Sequence, residues 1–219
     1  MMKKTILAVI ISMSLITLFG CGIGQKHSEE SAAVAMVNGT QIYQEELDAH
    51  LERVKMSYAQ FGVDFESEEG KEMFEQIQEE VLNGLIEQQL LLQAAQSEGY
   101  KADPEQVEEA LADIKAQFST EEELIETLDT LGLSMDDLKE ELANEMVINQ
   151  YLEDQIGEIE LSEEEQQEAY LAYEEEIGEK LDDETKQLIN EQLKWQKRSE
   201  RRQELVDQLK QESEIEILL

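Results

Sequence analysis

The chain has 219 residues, of which 53 are acidic and 17 basic, giving a formal net charge of −36. This charge disfavours nucleic acid as a partner, because phosphates would be repelled. A single proline argues against a loop-rich β-sandwich, and a single cysteine excludes an intrachain disulfide or a cysteine zinc cage. Hydrophobic residues make up 41% of the chain and recur at helical spacing, which favours a folded, mainly α-helical protein over a disordered one.

The first 20 residues have the layout of a secretion signal. Lys3 and Lys4 precede an apolar run over 6–19, which is shorter than the roughly 20 residues that a membrane-spanning anchor needs. The run ends in Leu-Phe-Gly-Cys at 18–21, which closely resembles the lipobox of bacterial lipoproteins. The resemblance implies that Cys21 is lipidated and becomes the mature N-terminus, so we expect it to be an anchor rather than a nucleophile or metal ligand.

The sequence therefore predicts three segments. These are a lipoprotein signal peptide at 1–20, a flexible polar tether at 21–32, and one helical domain at 33–219. Removal of the signal leaves 199 residues with a charge of −38, because the signal carries two lysines and no acidic residue. We expect the protein to be lipid-anchored at the extracytoplasmic face of the cell membrane, or at the outer membrane of a diderm cell.

Short strands are predicted at both ends of the domain. An apolar run at 33–37 ends at Asn38-Gly39, a typical turn sequence. Residues 214–218 alternate as a strand does. Because such short strands are not stable alone, we expect the first to pair with the last.

Seven helices are predicted between these strands. Apolar residues at spacings of three and four place the helices at about 44–61, 67–98, 103–118, 119–131, 134–156, 162–178 and 183–212. The second helix has a widened apolar stripe, so we expect it to be buried on several sides. Ser119 with Glu122, and Ser162 with Glu165, have the spacing of capping boxes.

This order of elements resembles the chaperone domain of the SurA and PrsA group of extracytoplasmic folding factors. The opening strand and helix at 34–47, the central helix at 85–95, the segment 114–123 and the closing element up to 218 each match that pattern. The resemblance implies a mainly α, multi-helix, SurA N-terminal-like chaperone domain with its terminal strands paired. It also implies binding of unfolded or secreted polypeptides without ATP.

The sequence departs from many members of that group in one respect. They carry a parvulin-type prolyl isomerase domain before the closing helix, which needs on the order of a hundred residues. Here the helix through 170–176 runs almost directly into the closing helix. Such domains also use histidines, and this chain has only His27, in the tether, and His50, on the first helix. We predict no isomerase activity, no other enzymatic activity and no cofactor.

Two acidic clusters and His50 are the candidate metal sites of the sequence. The clusters at 64–69 and 182–184 lack the spacing of a calcium loop and lie beside helix starts, where carboxylates are favourable. His50 has no second histidine or cysteine within helical reach. We therefore predict caps and solvated faces, an ordinary histidine and no metal site.

Aromatic residues at helix ends are the candidate peptide-binding residues. Most apolar residues in amphipathic helices are core, but aromatics at helix ends can line a groove that adapts to varied clients. Ordinary core packing is the alternative for each of them, as it is for the neighbouring Val63. The candidates are Tyr58, Phe61, Phe65 and Phe118.

The last helix carries the main basic cluster of the chain. It could be a solvated face paired with its own acidic neighbours, or it could dock on acidic helices of the domain or on anionic lipid headgroups. Trp195, inside the cluster, is either a core anchor or an exposed interface residue. The five members are Lys194, Lys197, Arg198, Arg201 and Arg202.

The sequence thus favours a chaperone-like lipoprotein. The alternative is a non-enzymatic interaction lipoprotein dedicated to one envelope or spore partner, and an active peptidyl-prolyl isomerase is a third, disfavoured reading.

Overall fold

The computed structural model describes residues 32–59 and 61–219. Cys21, the predicted signal peptide and all but the last residue of the predicted tether lie outside the described residues. The elements are β1 (Ala33–Val37), β2 (Thr40–Tyr43), α1 (Gln44–Ala59), α2 (Glu68–Glu98), α3 (Pro104–Lys115), α4 (Glu121–Thr130), α5 (Met135–Ile156), α6 (Glu163–Ile177), α7 (Asp183–Glu212) and β3 (Ile215–Ile217). The mainly α-helical prediction is confirmed.

The terminal strands pair as predicted. β1 lies between β2 and β3 in an antiparallel sheet, and Met36 faces Gln41 on one side and Glu216 on the other. β2 is not among the predicted elements, because its residues follow the first turn without a strand pattern of their own. Asn38 and Gly39 both adopt positive φ, 51° and 83°, and so reverse the chain into a hairpin that includes β2.

The side chain of Asn38 connects three parts of the fold. Its Nδ2 donates to Gln93 Oε1 on α2 at 2.9 Å and to Ser213 Oγ at 3.1 Å, and its Oδ1 accepts from the Glu214 amide at 2.8 Å. Gln93 Nε2 in turn donates to the Val37 carbonyl at 3.0 Å. The hairpin, α2 and the start of β3 are therefore held by one polar network.

Replacing Asn38 with alanine should lower the free energy of unfolding by about 2 kcal/mol. The substitution removes three hydrogen bonds. It also places alanine at a positive φ, which asparagine tolerates better than alanine does. Urea denaturation followed by circular dichroism measures this effect. Ser213→Ala removes only one of the bonds and should cost about 0.5 kcal/mol. Equal midpoints for Asn38→Ala and the wild type would contradict the role of the network.

The buried apolar residues form two adjoining clusters along α2. Leu90 belongs to a cluster with β1, β2 and α1, whereas its neighbour Leu91 belongs to one with α5 and α7. Both leucines are almost fully buried. Helix α2 is thus buried on more than one side, as its widened apolar stripe predicts.

The cap of α4 lies one residue later than predicted. Thr120 is the N-cap, and its Oγ1 accepts from the Glu123 amide at 3.2 Å. Glu123 Oε2 accepts from the Ser119 amide at 3.0 Å. The predicted pairing of Ser119 with Glu122 is wrong, because the overlapping Thr-x-x-Glu pattern at 120–123 supplies the cap instead.

Helix α6 packs on α7, and none of its residues is buried. Its start is the predicted capping box, in which the Glu165 amide donates to Ser162 Oγ and the Ser162 amide donates to Glu165 Oε2. Residues 178–182 connect α6 directly to α7. We call the pair formed by α6 and residues 183–198 of α7 the arm.

Candidate polypeptide-binding surface

The corner between α1 and α2 is fixed by the Ser67 hydroxyl and by a close approach of the backbone at Gly70. Ser67 caps the helix by accepting from the Gly70 amide at 3.0 Å, and the Ser67 hydroxyl donates to the Asp64 carbonyl at 2.7 Å. A Cβ built on Gly70 would lie 2.0 Å from that carbonyl oxygen and 2.7 Å from Phe65 Cα. The segment preceding α2 therefore lies directly against its first turn at a glycine.

This corner positions a chain of aromatic rings. Phe65 is half-buried against the first core cluster, and its ring makes edge contacts with Tyr58 at 6.0 Å and Phe74 at 5.7 Å between centroids. Lys55 Nζ lies 4.6 Å from the centroid of Phe74. Phe65 thus anchors the other rings to the core.

Large apolar side chains around these rings are left in solvent. Phe61 is 83% exposed and Tyr58 is 39% exposed, Met56 is exposed two residues before Tyr58 in the sequence, and Met73 is exposed next to Phe74. Clustered apolar exposure of this kind is typical of a binding site. We call this region the aromatic surface; its members are Met56, Tyr58, Phe61, Phe65, Met73 and Phe74.

The structure brings together three of the four predicted peptide-binding residues. Tyr58 and Phe65 are in ring contact, and the Phe61 amide donates to the Tyr58 carbonyl at 2.9 Å. Phe118 is half-buried just beyond α3, which ends at Lys115 rather than at 118 as predicted. Within residues 32–59 and 61–219, no ring contact connects Phe118 with the aromatic surface.

Met56, Met73 and Phe74 belong to this surface but are not among the predicted peptide-binding residues. Met56 lies outside the predicted stripe 47–51–54–58, of which Leu47, Leu51 and Val54 pack in the core. An apolar residue off the core face was therefore the signal that could have identified it.

The aromatic surface has an acidic rim. Asp64, Glu66, Glu68, Glu69 and Glu72 are all exposed along the corner and the first turns of α2. A rim of this charge attracts cationic segments and repels polyanions.

Three of the five predicted basic residues on α7 contact their own chain. Lys197 Nζ lies 2.6 Å from Glu165 Oε1 on α6. Arg201 Nη1 donates to the Ile156 carbonyl at the end of α5 at 2.9 Å, where the helix dipole favours a cation. Arg202 Nη1 lies 3.7 Å from Glu87 on α2. These contacts hold α7 against three other helices.

Glu165 both caps α6 and binds α7. The hydrogen bond from Lys197, together with those from the Ser162 amide and hydroxyl, lowers the pKa of Glu165 to about 2. The carboxylate therefore keeps its charge, and its contact with Lys197, throughout the mildly acidic range.

Neutralising Glu87 should weaken the attachment of α7. Glu87 is half-buried and accepts from Lys210 at 3.0 Å as well as facing Arg202. Glu87→Gln should lower the free energy of unfolding by about 1 kcal/mol, because two cations lose one shared counter-charge. Denaturation at low and high salt measures this loss. Glu108→Gln, which removes an exposed pair with Lys139, is the matched control and should have a smaller effect. An equal loss in both variants would contradict a special role for Glu87.

Trp195 is 71% exposed, so it is not a core anchor. Its neighbours Lys194 and Arg198 are also exposed. The packing of α7 does not explain why an aromatic residue stands at this position.

The remaining candidates have ordinary environments. His50 is partly buried, and burial, helped by the nearby Arg53 charge, lowers its pKa to about 4, so it is neutral at pH 7. Asp182 caps α7 by accepting from the Thr185 amide at 2.9 Å. In the described part of the chain, no three histidine, cysteine or acidic residues are grouped as a metal site would need.

No helix within 32–59 or 61–219 combines the length and apolar content needed to cross a bilayer.

The helical architecture and the aromatic surface are those of a polypeptide-binding type of domain. Comparison with known proteins identifies its family. A family model for the SurA-like N-terminal domain matches residues 1–152. The chain therefore belongs to the SurA-like N-terminal domain family, and the predicted resemblance is confirmed.

The similar curated proteins are named as foldases. "Foldase protein PrsA" of Clostridium botulinum strain 657 is 28% identical over 179 residues, covering 77% of this chain and 53% of that protein. The protein of the same name in strain Loch Maree is 30% identical over 161 residues, covering 68% and 48%. That of Clostridium acetobutylicum is 25% identical over 177 residues, covering 77% and 53%. The chain spans about half the length of these relatives.

Proposed function

We propose that this protein is a lipid-anchored, extracytoplasmic, chaperone-like protein that binds unfolded or secreted polypeptides without ATP. The observation that carries the proposal is the aromatic surface, where Phe61 is exposed beside a corner fixed by Gly70. Membership of the SurA-like N-terminal domain family supports it, as does the name of the relatives.

Binding at this surface would be passive. Apolar segments of a client would contact Phe61 and Tyr58, while the flexible side chains of Met56 and Met73 would adapt to different sequences. Because contacts of this kind bury little area, binding would be weak and release would need no nucleotide. The acidic rim would favour clients that carry cationic residues.

The proposed location rests on the sequence of the N-terminal region. The lipobox-like 18–21 supports lipidation at Cys21, and the polar tether would hold the domain near the membrane. The proposed domain division is the one given above: signal peptide, tether and the helical domain 33–219.

We propose that the protein is not an isomerase. The link between α6 and α7, where relatives with a parvulin domain would carry it, consists of residues 178–182. Inside this link the Leu181 amide donates to the Glu174 carboxylate at 3.1 Å, and the Leu181 side chain is buried. The connection is short and packed, which supports a binding protein without catalysis.

A client-aggregation assay with residues 22–219 tests the proposal. We expect suppression of aggregation of a reduced, unfolding client at stoichiometric amounts. No suppression, together with a single strong partner in pull-downs, would instead support the interaction lipoprotein dedicated to one partner. Clear catalysis of proline-peptide isomerisation would overturn the non-enzymatic assignment.

A further inference from the structure

The corner that carries the aromatic surface has more acidic than basic residues, and its basic residues are already paired. Residues 52–75 include seven acidic and three basic side chains. Each of the three basic side chains faces a carboxylate of the chain itself. The pairs are Arg53 with Glu141 at 3.6 Å, Lys55 with Glu52 at 2.6 Å and Lys71 with Glu68 at 3.5 Å. The cations of the corner are therefore already neutralised.

Four carboxylates of the acidic rim have no such partner. Among residues 32–59 and 61–219, no basic side chain forms an ion pair with Asp64, Glu66, Glu69 or Glu72, and all four are exposed. Asp64 Oδ1 accepts from the Glu66 amide at 3.0 Å, which restrains this carboxylate. Glu69 precedes the exposed Met73 by four residues and so lies one turn away on the same face of α2. Unpaired negative charge thus adjoins the exposed apolar area.

Lys55 shows how a cation is held at this surface. Its Nζ lies 4.6 Å from the centroid of the Phe74 ring and 2.6 Å from Glu52 Oε1. The face of the ring and the carboxylate both attract an ammonium group. Phe61, 83% exposed and three residues before Asp64, offers the same combination of ring and carboxylate to a cation from outside the chain.

We propose that the aromatic surface selects client segments in which an apolar residue is flanked by lysine or arginine, and discriminates against segments flanked by acidic residues. The apolar residue would lie on Phe61 and Met73. The flanking cations would pair with the carboxylates of Asp64, Glu66 and Glu69. Charge complementarity carries this assignment, because the three cations of the corner are paired and its unpaired charges are negative. The inference rests on the proposed function, since it specifies which polypeptides that surface binds.

A general attraction of cations by this acidic chain is the alternative. An attraction of that kind depends on the net charge of −36 and not on where a single carboxylate lies. Pairing at the rim depends on particular carboxylates that lie beside the apolar area. Variants that change the net charge equally, at the rim or elsewhere, therefore separate the two.

Three labelled peptides test the selection by charge. The full chain, held in phosphatidylcholine nanodiscs whose lipid has no net charge, would be titrated against fluorescein-labelled Lys-Leu-Lys-Val-Lys, and binding would be followed by fluorescence anisotropy. The matched peptides have glutamine or glutamate in place of lysine. We expect the lysine peptide to bind about tenfold more tightly than the glutamine peptide, and the glutamate peptide to bind most weakly. The preference should decrease with salt.

Glu66→Gln with Glu69→Gln should weaken binding of the lysine peptide about fivefold and leave binding of the glutamine peptide unchanged. Glu109→Gln with Glu122→Gln is the matched control, because it removes the same charge from exposed residues outside the corner. Glu122 is the second residue of α4, as Glu69 is of α2, so the loss at the helix start is also matched. The control pair should leave binding of the lysine peptide unchanged.

Equal affinity for the lysine and glutamate peptides would overturn the inference. An equal loss in both pairs of variants would also overturn it, since this would indicate attraction by the overall charge. Either result leaves the proposed function standing if the glutamine peptide binds and client aggregation is suppressed. Absence of binding by all three peptides, together with no suppression of aggregation, would overturn both.

Discussion

Replacing Gly70 with alanine should lower the free energy of unfolding by about 3 kcal/mol and also weaken client binding. The added Cβ would stand 2.0 Å from the Asp64 carbonyl oxygen and 2.7 Å from Phe65 Cα. Both are backbone atoms, so no side chain can rotate away to relieve the overlap. The corner must move off α2, and Phe65 must leave its place between Tyr58 and Phe74.

Gly84→Ala is the matched control for this substitution. Gly84 lies in the same helix, and no atom lies within 4 Å of its Cβ position. Alanine has the higher helix propensity, so this variant should be more stable than the wild type by about 0.5–1 kcal/mol. Urea denaturation of both variants measures the contrast. If Gly70→Ala were as stable as Gly84→Ala, the close approach at the corner would not be a constraint.

Serine at both Phe61 and Tyr58 should abolish most of the suppression of client aggregation while leaving stability within about 0.5 kcal/mol of the wild type. Phe61 is largely in solvent, and Tyr58 contributes one partial ring contact, so little folding energy depends on them. What is lost is the apolar area that a client would cover. Dose–response curves of client light scattering, run beside denaturation curves, measure both effects.

Leu188→Ser is the control for this pair of substitutions. Leu188 is 60% exposed, but it lies on the arm rather than on the aromatic surface. It should leave suppression unchanged. If Leu188→Ser reduced suppression as much as the double variant, binding would depend on exposed apolar area in general and not on the aromatic surface.

Local signals in the sequence predicted most of the fold. Capping residues such as Ser67, Ser134 and Ser162, each at a helix start, fixed the helix order because their hydrogen bonds are made within a few residues. β2 was missed because its four residues include only one buried side chain, Ile42, and therefore show little alternation. The α4 cap was misplaced because two capping patterns overlap at 119–123.

The candidate site was only partly predictable, because its contacts are between elements. The position of Phe61 at a helix end indicated exposure, which the structure bears out. The neighbouring sequence does not distinguish Phe65 from Phe118. Phe65 packs on the core because of the close approach at Gly70, whereas Phe118 lies apart from the aromatic surface. The exposure of Trp195 likewise follows from how Lys197 and Arg201 attach α7 to its neighbours.

The pairing of β1 with β3 has a consequence for how the protein itself folds. Ala35 contacts Ile217, so the first strand cannot complete its sheet until nearly the whole chain has emerged. The hairpin with β2 and the helices up to α5 depend on nearer contacts and can form earlier, whereas closure across so long a loop is entropically slow. If the protein is exported as proposed, starting from the N-terminus, β1 would present an unpaired edge until residues 215–217 arrive. A protein proposed to shield emerging chains therefore passes, late in its own folding, through the same exposed state as its clients.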